Sequence, residues 1–459
     1  MMIVLLTHFL TSSAAIGHLI LCVAAVRSEA NRYIGSLAST SMGQTVAEKI
    51  LADRSGSPNA TAGDYVVCDI DIAMAQDVHA PDVFAQLDER GVSELWDPSK
   101  VVVVFDHMAP SHEVDDADTK ARVRRQLKSY DVKHFYDVGT GISHLVLPER
   151  GHVRPGEIVI GTDSHTVSHG VFGAAGTGVG DTDMVYALWT GELWFQVPET
   201  IRIHLTGKLS PYVSSKDIVL SLADTYGLDV ARYRSIEFTG PTVERLSIDD
   251  RMTLTNMSIE LGAKFGFTPV DDRVEEYIAN RTDEPFDPAT ADPDATYEQV
   301  IEHDVTDLEP LVAMPHDVDN VVPVSSVAGV DVDQVFVGTC TNGSYDDLAA
   351  AAALLVEREV ASGTRMMVTP ATRDIYRRAE RDGLLKTFTQ AGATVTNATC
   401  GACLGLGMGV IGTGETCFAA QNRNYRGRMG SDESEIYLGS PETAAATAIS
   451  GRITDPREV

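Results

Sequence analysis

Downstream of Met42, short β-branched runs alternate with stretches whose apolar residues recur every three or four positions. That alternation predicts α/β domains built on largely parallel sheets. Val101–Phe105 (VVVVF), Glu157–Gly161 (EIVIG), Gln334–Gly338 (QVFVG) and Ala393–Asn397 (ATVTN) read as strands, and TIRIHLTG, starting at Thr200, reads as another. GQTVAEKIL after Met42 predicts an amphipathic helix. SYDDLAAAAALLVERE predicts a second, with Ser344 as its N-cap and Asp346 and Asp347 in its first turn.

Four of these strands run directly into polar, reactive residues. VVVVF leads to Asp106 and His107, EIVIG to Asp163, Ser164 and His165, QVFVG to Cys340, and ATVTN to Cys400. Ligands of open α/β sheets bind beyond the carboxyl ends of the strands, so one cleft is expected to collect all four.

Length and punctuation divide the chain. At 459 residues, a prior of about three domains follows. A new strand pattern after Pro198 and a Pro- and Asp-rich surface loop at 282–295 suggest domains at 42–200, 201–325 and 326–459. Residues 1–41 read as an extension: Met1 to Val26 is largely apolar, but no basic segment precedes it, Thr11, Ser12, Ser13 and His18 interrupt it, and no run approaches the ~20 residues of a span. A start at Met42 and no membrane partner are expected.

Charge narrows the partners. Thirty-six basic against 66 acidic side chains leave a net charge of −30, and only nine of the basic residues are Lys. Such a surface repels phosphate backbones, so no nucleic acid is expected. It resembles proteins of salt-loving organisms, where screening relieves the self-repulsion. Six cysteines are too few for a disulfide framework in a chain this long, so a reducing cytoplasm and a metal or redox role for some thiols are expected.

Cys400-Gly401-Ala402-Cys403 is a C-x-x-C motif followed by LGLGMG, glycines that let backbone approach a bulky group. By itself the motif fits a redox pair, half a zinc site or part of an iron–sulfur site. Its place deep in the chain disfavours the first, and the lack of a second C-x-x-C disfavours a four-cysteine zinc site. The other local thiols are Cys340, in GTCTNGS, and Cys417, and the position of Cys340 before a helix favours its thiolate. Three thiolates on a cubane leave one iron open for Lewis-acid chemistry.

A lone His is more often a satisfied core group than a catalyst. Two strand-end Asp/His clusters, at 106–107 and 163–165, are harder to dismiss, because a carboxylate orients an imidazole for acid/base work. His144 is a third candidate. No G-x-G-x-x-G or phosphate-loop motif supports nucleotide chemistry. Arg423, Arg426 and Arg428 gather in NRNYRGR of a chain poor in basic residues, a loop suited to small di- or tricarboxylates.

GQTVAEKIL, FDH at 105–107, GTDSHT at 161–166, TNMSIELGAK at 255–264, GTCTNGS at 338–344, CGACLG at 400–405 and NRNYRGRMG at 422–430 occur in this order. Together they resemble the aconitase superfamily, and within it the large subunits of isopropylmalate and homoaconitate hydro-lyases. The resemblance implies three α/β domains around a central cluster cleft, with the superfamily's swivelling fourth domain absent. It implies one 4Fe-4S cluster on Cys340, Cys400 and Cys403, with Asn256 nearby. Asp106, His107, His144, Asp163, His165 and Glu260 would form the acid/base shell. Gln76, Ser164, Asn422, Arg423 and Arg428 would hold substrate. Ser143 and Leu145 depart from close relatives, which often carry Cys and Gln there.

The activity so implied is dehydration and rehydration of a 2-hydroxy diacid such as 2-isopropylmalate, with a homoaconitase as the alternative. A small subunit would supply the missing domain and the base that removes the carbon-bound proton. A non-enzymatic, cluster-sensing RNA binder and a zinc hydrolase are the competing classes. The first is disfavoured by the charge.

Overall fold

A computed structural model describes residues 43–459. The expectations for residues 1–41 and for the start at Met42 lie outside the described residues. Gln44–Val459 form one compact unit. Among the described residues, no helix is long and apolar enough to cross a membrane.

All five runs read as strands contain one: Val101–Val104, Ile158–Gly161, Thr200–Thr206, Gln334–Val337 and Thr394–Val395. Val101–Val104, Ile158–Gly161 and Gln334–Val337 are buried at every position, which explains why they read as continuous apolar runs rather than alternating ones. Thr200–Thr206, in contrast, alternates buried with half-buried positions over most of its length.

Three larger sheets result, and their pairings are parallel except at one edge. The first has five strands, in the order His134–Tyr136, Val101–Val104, Ile72–Gln76, Ile158–Gly161, Ala175–Gly178. The second has four, in the order Phe265–Phe267, Ser235–Thr239, Thr200–Thr206, Gln299–Asp304. The third has seven: Thr394–Val395, Arg365–Val368, Gln334–Val337, Thr416–Ala420 and Glu435–Leu438 run parallel, then Leu311–Ala313 and Val321–Pro323 continue the sheet antiparallel.

Strand order locates the cleft. In the five-stranded sheet the order reverses between Ile72–Gln76 and Ile158–Gly161, and in the seven-stranded sheet between Gln334–Val337 and Thr416–Ala420. At each reversal the connections leave on opposite sides and open a crevice at the strands' carboxyl ends. The two crevices face one another. An antiparallel bridge Gly141–Thr372 and the hydrogen bond from Cys400 N–H to Asp106 C=O (2.7 Å) join the sheets there.

Caps set the helices as the pattern predicts. Val46–Ser55 opens with a capping box between Thr45 and Glu48, and Tyr345–Leu355 with one between Ser344 and Asp347. The second helix is shorter than predicted. Residues 356–359 are exposed, so no buried contact extends the helix beyond Leu355, and Glu357 adopts a left-handed φ of 57°. The Pro- and Asp-rich loop carries Asp292, which holds Lys49 at 2.5 Å and the Gln44 N–H at 2.8 Å.

Candidate active site

Gln76, His107, His144, Asp163, Ser164, His165, Cys340, Cys400, Cys403, Arg423 and Arg428 line one cavity of about 180 Å³. Asp106, Glu260 and Asn422 do not reach its wall and act through the residues in front of them.

One wall is sulfur. Cys340 sits in the turn Thr339–Asn342 that ends strand Gln334–Val337, and Thr339 is held at a left-handed φ of 76°. Non-glycine residues adopt that conformation at a cost, and here it turns the thiol into the cavity immediately after the strand. Cys400 and Cys403 bracket the tight turn Gly401–Leu404, closed by Gly405 at φ 69°. Donors surround the sulfurs. Asn256 Nδ2 reaches Cys340 Sγ at 3.1 Å, and Arg428 Nη2 reaches Cys403 Sγ at 3.4 Å. Asn422 Nδ2 donates to the Oδ1 of Asn256 and thereby fixes the amide that faces Cys340.

The protonation of these thiols departs from the sequence expectation for Cys340. Burial, with Cys403 beside it, pushes the Cys340 thiol up to about 12, so any help from the following helix is outweighed. Cys403 is held low, first by a hydrogen bond from the Cys400 thiol and then by Arg428. Among the described residues the other thiols, Cys68 and Cys417, are core residues on strands, pushed up by burial and outside the cavity lining.

The opposite wall is imidazole and carboxylate. Asp163, on the loop after Ile158–Gly161, lies among three histidines. His144 Nε2 is 3.0 Å and His165 Nδ1 3.4 Å from its Oδ1, and His107 Nε2 is 3.4 Å from its Oδ2. The His165 N–H adds a bond of 2.7 Å. Burial opposes the Asp163 charge, yet these donors, His144 foremost, hold its carboxyl well below the usual range. Behind His107, Asp106 accepts from Nδ1 at 2.8 Å and from Ser143 N–H at 2.7 Å. Burial disfavours the imidazolium, but Asp106 and Asp163 outweigh it and raise His107 well above 6.5.

His165 and Glu260 form the second pair, Nε2 to Oε1 at 3.0 Å. Glu260 also accepts from Arg423 Nε at 2.8 and 3.0 Å, while Arg423 Nη2 reaches Ser164 Oγ at 3.2 Å. Burial would raise Glu260; His165 and Arg423 lower it instead. Burial and Arg423 would likewise lower His165, and Asp163 and Glu260 raise it. The wall is thus a chain of ion pairs closed by one arginine.

Sequence reasoning missed three supports. Asp77 accepts from the His107 N–H (2.8 Å) and Met108 N–H (2.9 Å), and buried Lys120 lies 3.2 Å from it, so this pair shapes the loop that presents His107. The strand-end rule applied at Gln76 would have found Asp77. Lys216, fully buried, donates to Gln421 C=O at 2.6 Å and anchors the loop carrying Asn422 and Arg423; burial lowers its amine to about 8. His169 is buried beside His144. The two departures are both interior: Ser143 is fully buried and Leu145 belongs to the hydrophobic core.

The donor set fits an iron–sulfur group better than zinc. A single ion needs its ligands within one coordination shell. Among the described residues, the one triad of His, Cys, Asp or Glu whose ligand atoms lie within 4.8 Å of one another is Asp77, Asp106 and His107, where Lys120 already supplies the positive charge. The three cavity thiols do not form such a triad, and the N–H donors on Cys340 and Cys403 favour thiolate there.

Fold and site together define an open α/β protein whose ligand cleft lies between two facing switch points, walled by three free thiols and by carboxylate-paired histidines. The Aconitase family (aconitate hydratase) matches residues 48–330 and 325–451, and the chain belongs to it. Among its relatives, 3-isopropylmalate dehydratase large subunit 1 of Methanopyrus kandleri is 50% identical over 416 residues, 91% of this chain and 99% of that one. The probable 3-isopropylmalate dehydratase large subunit of Methanothermobacter thermautotrophicus is 48% identical over 415 residues, covering 90% and 99%. The large subunit from Halothermothrix orenii is 43% identical over 419 residues, covering 91% and 100%. Among solved structures, aconitase X of Thermococcus kodakaraensis, holo-form, aligns with 84% of this chain and 92% of its own at TM-score 0.49 and 11% identity.

Proposed function

We propose that this chain is the large subunit of a 3-isopropylmalate dehydratase, a hydro-lyase that converts 2-isopropylmalate to 3-isopropylmalate by dehydration and rehydration on the route to leucine. The observation that carries the reading is the cavity itself: three thiols facing three histidines that share one ionised aspartate, in a chain whose relatives at 43–50% identity bear that name.

Cys340, Cys400 and Cys403 hold a 4Fe-4S cluster, with Asn256 and Arg428 donating to the sulfurs. When bound, a cluster with an open iron supplies Lewis-acid polarisation of a hydroxyl and carboxylate. The rest of the work falls to side chains. His107, His144 and His165 hold protons at the cavity wall, each set by a carboxylate behind or beside it. Arg423 and Arg428 bind substrate carboxylates, and Gln76 and Ser164 orient the hydroxyl side. A small subunit, implied by the relatives' names, supplies the base for the carbon-bound proton.

The free thiols Cys68, Cys340, Cys400, Cys403 and Cys417 support a reducing cytoplasm, and the net charge of −30 supports a high-salt setting. The test is turnover by the cluster-loaded chain with its small subunit, offered 2-isopropylmalate, homocitrate, citrate and methylated malates. Preference for 2-isopropylmalate is expected. Preference for homocitrate would reassign the chain as a homoaconitase subunit, and inactivity on all four with an intact cluster would refute the hydro-lyase reading.

A further inference from the structure

Lys216 anchors the loop of Asn422 and Arg423, a task for which a neutral donor would suffice, and its charge is costly where it stands. The side chain is wholly buried in the first turn of the helix Ser215–Tyr226, the end of a helix whose dipole disfavours a cation. Nζ donates to Gln421 C=O at 2.6 Å and to Met257 Sδ at 3.2 Å, and among the described residues it forms no ion pair with a carboxylate. A buried ammonium is tolerated where a countercharge lies close by. Burial lowers the amine to about 8 against the pull of Asp347, Cys340, Cys403 and Glu260, so the cation persists at neutral pH.

The nearby carboxylates are engaged elsewhere. Asp217, its neighbour in the chain, accepts from the N–H groups of Ser214 and Leu311, both at 2.8 Å. Glu260 is held by His165 and Arg423. Asp347 accepts from Ser344 N–H at 3.0 Å and from Asn342 Nδ2 at 3.1 Å, and burial raises its carboxyl to about 7, so its charge is partial. Cys340 and Cys403 remain. The two residues that hold Lys216, Met257 and Gln421, adjoin Asn256 and Asn422, whose amides reach Cys340 Sγ at 3.1 and 3.7 Å. Arg428 brings a cation to Cys403, whereas these donors on Cys340 are neutral.

We propose that Lys216 is the buried countercharge of the sulfur wall, a fixed cation behind the two asparagines that balances the thiolates when an iron–sulfur cluster is held and raises the cluster's reduction potential. Three thiolates leave such a site net negative, and an added electron increases that charge. A cation fixed in a dry interior therefore favours the reduced state. The proposal rests on the cluster reading of the three thiols and is independent of which hydroxy acid is the substrate.

The experiment is a redox titration of the cluster-loaded heteromer, followed by the electron paramagnetic resonance signal of the reduced cluster, in the wild type, Lys216→Gln and Lys216→Arg. Gln keeps a donor for Gln421 C=O without the charge, and Arg keeps both. At wild-type iron and sulfide content, Lys216→Gln should take up the electron at least tenfold less favourably, a midpoint lower by about 59 mV or more, while Lys216→Arg should remain near the wild type. Loss of the cluster from Lys216→Gln with retention in Lys216→Arg would support the same need for charge. A wild-type midpoint in Lys216→Gln would overturn the proposal and leave Lys216 an anchor alone, as would equal shifts, or loss of the cluster, in both variants. A wild type that holds no iron and sulfide after anaerobic reconstitution would instead refute the cluster reading, and the role of Lys216 with it.

Discussion

The two walls of the cavity solve opposite problems. The sulfur wall surrounds thiols with neutral or cationic donors, Asn256 and Arg428, and has no carboxylate in hydrogen-bond contact with a sulfur. It is made for groups that must remain deprotonated once a metal group is held. The imidazole wall backs every histidine with a carboxylate, so that protons are retained and can be moved. Backbone builds the first wall and ion pairs build the second. Cys340 depends on the left-handed Thr339 and the cysteine loop on a glycine turn, whereas Asp163 is placed by four donors from three histidines. The walls should therefore fail differently.

The largest effect is expected on the sulfur wall. Cys340→Ser, Cys400→Ser and Cys403→Ser should each abolish iron and sulfide retention and all activity, while Cys68→Ser and Cys417→Ser keep the metal. Each of the latter two should cost about 1–3 kcal/mol, because a hydroxyl replaces a fully buried thiol in a packed strand. Metal analysis decides the matter: loss of the cluster from Cys417→Ser would erase the distinction between cavity and core thiols.

On the imidazole wall, Asp163→Asn should leave iron and sulfide intact and lower kcat by ~10²- to 10⁴-fold, since the amide cannot balance three histidines. Cluster loss from this variant would show that the walls are not independent.

The same wall should carry a pH signature in stability. His107 is raised in the folded state, so its stabilisation is complete below the unfolded value near 6.5 and is lost as pH climbs through the folded value. His107→Gln should destabilise the protein by about 1–3 kcal/mol at pH 5.5 and by progressively less toward alkaline pH. Asp163 behaves oppositely, its contribution present above about pH 4 and lost on acidification. Urea midpoints across the range provide the measurement, and a His107→Gln penalty constant with pH would remove the imidazolium from the account. The smallest effect belongs to neither wall: Ser344→Ala, which removes the cap of the helix following Cys340, should cost about 1 kcal/mol in a urea melt without altering iron content.

What could be read from the chain and what could not separate on physical lines. The strands with both faces buried, Val101–Val104, Ile158–Gly161 and Gln334–Val337, were legible as apolar runs. The reactive residues at their ends were legible because backbone geometry sends strand-end side chains into a crevice. The thiols, the Asp/His pairs adjacent in sequence and the helix caps were legible for the same reason: their chemistry is local. Tertiary structure alone decided that Asp163 serves three histidines rather than one and that Glu260 stands behind His165. It also decided that Asp77 and Lys120 form a buried pair and that His169 lies against His144. Those partners come from separate strand ends, helices and turns, and which charge faces which across a packed core depends on how these elements pack. The thiol protonation was misjudged from sequence on similar grounds. A helix start is visible in the chain, whereas the burial that raises Cys340 exists only once three sheets close around it.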